Sequence, residues 1–146
     1  MQLDSQHILN NLTHTMSEFI QTVNSLEPIS LDSFKQGETL VVMIDMINGF
    51  CNIGPLHSDF VNEMIPAMSI FFDNVISANI PIVSYRDAHP EDAEEFRSFP
   101  PHCIAGTFES ELVKDLSRPE LIDVTKNSTN GFLSKNPLEL LENCLL

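Results

Sequence analysis

Three short, largely apolar runs, residues 39–44, 80–85 and 121–125, each give way within two positions to a side chain that carries charge: Asp45, Asp87 and Lys126. Runs of this length that do not alternate with polar residues read as strands of a parallel sheet covered on both faces. Between the first two lies a stripe at helical spacing, Val61, Met64, Ile65, Met68, Phe72, Val75 and Ile76, with Pro66 expected to kink the helix or mark its start. Strand and helix alternate, which predicts an α/β domain with a mostly parallel, Rossmann-like, doubly wound sheet. In such sheets ligands and reacting groups collect at the carboxyl ends of the strands, where all three charged residues fall.

The flanking segments fill in the plan. Residues 5–24 carry Ile8, Leu9, Leu12, Met16, Phe19, Ile20 and Val23 on one face of an otherwise polar helix, an added N-terminal packing or docking element. Pro28 closes it, and residues 29–38 read as a linker turning at Gly37. We therefore expect a helix and linker over residues 1–37 and a domain over 38–146. Thr107 is a credible N-cap for a short helix to residue 116, and Asn136-Pro137 opens a last helix with Leu138, Leu141 and Leu145 on one face. The loop between residues 87 and 106 is long and rich in proline, carboxylates and histidine, and loops of that length usually serve a function.

Charge and cysteine usage narrow the partners. With 21 acidic against 7 basic residues the net charge is −14, which argues against nucleic acid and anionic membranes and for a cation or a neutral small molecule. No apolar run approaches the roughly 20 residues that span a bilayer, and no signal sequence is visible, so a cytoplasmic protein is expected. Cys51, Cys103 and Cys144 are odd in number and lack C-x-x-C spacing, so neither a disulfide framework nor a zinc ribbon is indicated.

The long loop holds the most specific chemistry. Residues i and i+2 of an extended segment face one way, so Asp87 and His89 can converge on one ion, His102 returns after Pro100-Pro101, and Glu95 can add an oxygen. Two imidazoles with one or two carboxylates suit Zn, with Mn or Fe as alternatives, and leave positions open for water or substrate. The competing reading is a solvated acidic loop with two unrelated histidines. Asp45 is either a partly desolvated general base or an Asp in a turn, and Lys126 either a partner of Asp45 that lowers a thiol pKa or a solvated strand-end lysine.

The stretches VVMIDMINGF (41–50), DAHPEDAEEFRSFPPHCIAGT (87–107) and VTKNSTNGF (124–132) resemble, in order and spacing, the isochorismatase-like cysteine hydrolases, and among them the metal-containing nicotinamidases (pyrazinamidases). The resemblance implies the isochorismatase-like hydrolase fold, with Asp45 as the base for a cysteine thiol and Lys126 as the cation beside the thiolate. It makes Asp87, His89 and His102 metal ligands, Glu95 a further one, and Phe50 and Phe99 the aromatic walls of the substrate pocket. The implied reaction converts nicotinamide, or a similar small carboxamide, and water to nicotinate and ammonia through a thioester, a step of NAD metabolism. The family's nucleophile sits in a turn beyond a fourth strand that this chain does not reach. Cys51, Cys103 and Cys144 read as packing side chains, and hydrolysis by this chain alone is expected to be absent or very weak. The strand at 39–44 would be central in the complete fold, so its open edge invites association with a second copy or a complementing chain. Two other functions remain: a hydrolase of the same fold acting on another amide or an isochorismate-like ether, and a non-catalytic metal-binding or interaction module.

Overall fold

A computed structural model describes residues 4–35 and 37–134. The expected last helix and Cys144 lie outside these residues. By compactness the chain divides into two units, Met1–Ser30 and Leu31–Leu146.

The first unit is α1 (Ser5–Asn24), with the bounds expected from its stripe. Asp4 caps it, its carboxylate accepting from Gln6 N at 3.0 Å. None of its residues is buried, and Leu9, Leu12, Met16, Phe19 and Ile20 all lie exposed.

In the second unit β1 (Val41–Ile44), β2 (Ile82–Asp87) and β3 (Ile122–Lys126) form a parallel sheet in that order. The register pairs Ile44 with Tyr85 and Asp87 with Lys126, so the three charged positions line one rim. β2 is central and almost wholly buried, as its apolar run requires. β1 has the open edge expected of it, pairing among the described residues only with β2, but it is not covered on both faces: Val42 and Ile44 are 46% and 62% exposed, so its continuous apolar run faces a covered side only at Met43 and Val41.

Two helices follow β1. Short α2 (Asn48–Cys51) leads to α3 (Asp59–Ser77), which crosses back to β2. Pro66 lies inside α3 and does not mark its start. The buried stripe is Ile65, Phe72 and Val75, while Met64, expected on it, is exposed. These side chains form the core with Met43, Ile82 and Leu116. No helix among the described residues is long and apolar enough to cross a membrane.

The helix expected from Thr107 to residue 116 does not form. Two 3-10 turns, Phe108–Ser110 and Lys114–Leu116, flank an extended stretch. The cause is competition for backbone groups. Glu111 O accepts from Asn48 N at 2.9 Å, Val113 N donates to Met46 O at 3.1 Å, and Leu112 bridges Ile47, which takes these groups out of any helical ladder. Thr107 accordingly makes no capping bond, and its hydroxyl donates to Ile104 O.

Core and surface phenylalanines of α3 give a direct check. Phe72 is 1% and Phe60 82% exposed. Phe72→Ala is expected to cost about 3–5 kcal/mol of unfolding free energy in a urea titration, and Phe60→Ala less than about 0.5 kcal/mol. Equal effects would contradict this packing.

Candidate functional site

The rim is organised around a lysine buried among carboxylates. β1 ends because Asp45 turns into the left-handed region at φ 58, a conformation that Asp tolerates better than most residues. The turn is held by Asp45 N donating to Tyr85 O at 2.8 Å and by Asp45 Oδ1 accepting from Asp87 N at 3.1 Å. Its other oxygen, Oδ2, accepts from Lys126 Nζ at 2.9 Å, and the same ammonium donates to Asp87 Oδ1. Lys126 is only 5% exposed, so the solvated-lysine reading does not hold. Burial pushes the Asp45 carboxyl above its ordinary range and the Asp87 charge adds to this, against the lowering effect of Lys126. Burial alone would lower the Lys126 pKa, but the bonds and charges of Asp87 and Asp45 outweigh it and raise it.

Asp87 joins this pair to the histidines. Asp87, His89 and His102 are all buried, and one ligand atom from each lies within 4.8 Å of the others. His89 Nε2 stands 3.5 Å from Asp87 Oδ2 and 3.9 Å from Glu95 Oε2. Glu95 is thus at the margin of the group rather than in it. The two imidazoles meet edge to face at 4.9 Å, and Phe96 packs against both at 5.5 and 5.6 Å. Phe50 and Phe99 flank His102 at 5.7 and 6.4 Å. All eight residues singled out in the sequence therefore gather at one rim.

The donor set fits a divalent cation. Each imidazole makes a bond through Nδ1, His89 to Asn127 Oδ1 at 2.7 Å and His102 to Pro100 O at 2.8 Å. Both partners are oxygens that accept only, so Nδ1 carries the hydrogen, and in the neutral ring Nε2 then keeps its lone pair, as ligating histidines are commonly arranged. His89 Nε2 is fully buried with no hydrogen-bond partner, a costly state for a polar atom that a bound cation relieves. Ligand atoms about 2.1 Å from a tetrahedral ion lie roughly 3.4 Å apart, close to the His89–Asp87 spacing.

The described cysteines are poorly suited to attack. Cys51 and Cys103 are buried. Burial, with the Asp87, Glu109 and Asp45 charges adding to it against Lys126, pushes the Cys103 thiol up to about 12, and burial raises that of Cys51. Cys103 has a left-handed backbone at φ 46, with its N–H donating to Glu109 Oε2 at 2.9 Å.

Sequence reasoning missed Phe96 and Asn127. Both adjoin residues that it did find, Glu95 and Lys126, and that adjacency was the available signal. It also gave no reason for Gly131. A Cβ there would stand 2.9 Å from the Tyr85 ring.

The isochorismatase domain matches residues 39–144. The curated protein Nicotinamidase 1 of Arabidopsis thaliana is 32% identical over 121 residues, which are 76% of this chain and 48% of that protein. An isochorismatase-like hydrolase from Alkaliphilus metalliredigens shares 26% identity at a TM-score of 0.65, over 71% of this chain and 60% of that one. The pyrazinamidase of Pyrococcus horikoshii in complex with zinc superposes with a TM-score of 0.63 at 24% identity, over 71% of this chain and 63% of that one, a likeness of fold. The chain spans about half the length of the curated relative it matches.

Removing the buried cation tests the electrostatics of the rim. Lys126→Met leaves two carboxylates facing each other and is expected to cost about 3–5 kcal/mol in chemical denaturation. Lys35→Met, at an exposed pair with Glu38, is expected to cost less than about 1 kcal/mol by the same measurement.

Proposed function

Because this chain belongs to the isochorismatase domain family, we propose that it carries the base, lysine and metal site of a nicotinamidase-type amidohydrolase. The observation that carries the reading is the buried Asp87–His89–His102 group, with its unpartnered imidazole nitrogen, joined through Lys126 to Asp45. Likeness to a plant nicotinamidase supports the substrate class, a small aromatic carboxamide.

In this reading Asp45 takes the proton of the attacking thiol. Its raised pKa makes it a stronger acceptor than an exposed aspartate, and the turn at φ 58 fixes its direction. Lys126 stabilises the thiolate and holds Asp45 and Asp87 in place. Asp87, His89 and His102 hold a divalent ion, zinc first by donor chemistry, with Glu95 near enough to act directly or through water. When bound, the ion supplies a Lewis acid that orients the ring nitrogen of the substrate. Phe50 and Phe99, each packed near His102, wall the ring, and the products are nicotinate and ammonia.

Buried thiols with raised pKa values make neither Cys51 nor Cys103 the nucleophile, and we assign that role to a residue outside the described ones. Free thiols also suit a cytoplasmic site of action. The same burial favours a second reading for this chain alone, a metal-binding module without turnover.

Two measurements test these assignments. Metal analysis after zinc loading and desalting is expected to find one ion per chain, lost in His102→Ala; retention of zinc by that variant would remove His102 from the site. Ammonia release from nicotinamide is expected of the metal-loaded full-length protein, with Asp45→Asn lowering the rate by about 10²–10⁴-fold. A metal-loaded full-length protein that hydrolyses no carboxamide would leave the module reading in its place.

A further inference from the structure

We propose that Asn127 is a positioning residue that locks His89 in the tautomer protonated on Nδ1, so that its buried Nε2 is the atom left for a metal. The inference rests on the metal reading above and adds a residue to it. His89 has no exposed surface, and two contacts define its ring: Nδ1 lies 2.7 Å from Asn127 Oδ1, and Nε2 faces Asp87 Oδ2 at 3.5 Å with no hydrogen-bond partner. An amide oxygen only accepts, so this bond requires the hydrogen on Nδ1. The opposite tautomer would direct an N–H where a cation must sit and leave the Asn127 oxygen facing a lone pair.

Sheet pairing sets the placement. Asp87 lies opposite Lys126, and the parallel ladder continues one bond further, with Ala88 N donating to Lys126 O at 3.0 Å. Asn127, the next residue, is thereby brought beside His89. Two successive residues at the end of β3 thus divide the work: Lys126 engages the Asp45 and Asp87 carboxylates, and Asn127 engages the imidazole. His102 gives an internal comparison, because its Nδ1 partner is the Pro100 carbonyl, a main-chain group that no side-chain substitution removes. The tautomer of His89 therefore depends on a side chain and that of His102 does not.

The test compares wild type, Asn127→Ala and Asn127→Asp by long-range ¹H–¹⁵N spectra of the histidine rings without metal, near pH 8, together with zinc affinity from chelator competition. Wild type is expected to show His89 protonated on Nδ1. Asn127→Ala is expected to lose that preference and to weaken zinc binding by about 10- to 100-fold. Asn127→Asp keeps an acceptor oxygen and is expected to preserve both, while the His102 signals stay unchanged in all three. An Nε2-protonated His89 in wild type, or zinc binding by Asn127→Ala as tight as wild type, overturns the proposal. Should wild type bind no zinc, the metal reading fails, and the ring spectra of wild type and Asn127→Asp still decide what Asn127 does.

Discussion

The Lys126 ammonium, buried where three parallel strands end and bonded to the Asp45 and Asp87 carboxylates, fixes the geometry of everything at this rim. A buried cation is costly unless it is paired, and a carboxylate on either side supplies the pairing. That pairing also occupies one oxygen of each acid. Asp45 uses its other oxygen to accept from Asp87 N, and Asp87 presents its other oxygen to His89. A single lysine thus separates the two acids, one held against the Asp87 main chain and one facing the imidazoles.

The histidines depend on the loop between β2 and β3 in the same way. That loop contains no α-helix among its described residues, and its shape comes from backbone bonds to distant partners. His89 N donates to Cys103 O at 3.0 Å and Ala105 N to His89 O at 2.8 Å, a short ladder that returns His102 to His89. Aromatic rings then close the space around the imidazoles, with Phe96 touching both. A site of this kind is stiff because its groups are held by main chain and by packing rather than by one another alone.

Much of this was legible in the residues. The strands, their parallel order and the charged residue ending each one followed from run length and polarity, and α1 followed from its stripe. Asp45, Asp87 and Lys126 could be named because chemistry-bearing side chains collect at strand ends, and His89, Glu95 and His102 because the long loop spaces them for one ion, whereas Phe50 and Phe99 were implied only by the resemblance to the isochorismatase-like hydrolases. What escaped the sequence depended on tertiary competition. Residues 107–116 have helical spacing, yet their backbone groups bond to residues 46–48 instead. Continuous apolarity in β1 indicated burial on both faces, whereas Val42 and Ile44 face outward among the described residues. Asn127 escaped because nothing local shows that strand pairing carries it to an imidazole 38 positions away.

The central claim is that Asp87, His89 and His102 together hold a divalent metal through oxygen and imidazole nitrogen. X-ray absorption spectroscopy of the zinc-loaded chain tests it most directly. The account predicts a nitrogen and oxygen shell at about 2.0–2.1 Å, with multiple scattering from two imidazoles and no sulfur. A sulfur shell near about 2.3 Å, which would place the ion on a cysteine, or a spectrum without imidazole scattering, would contradict it.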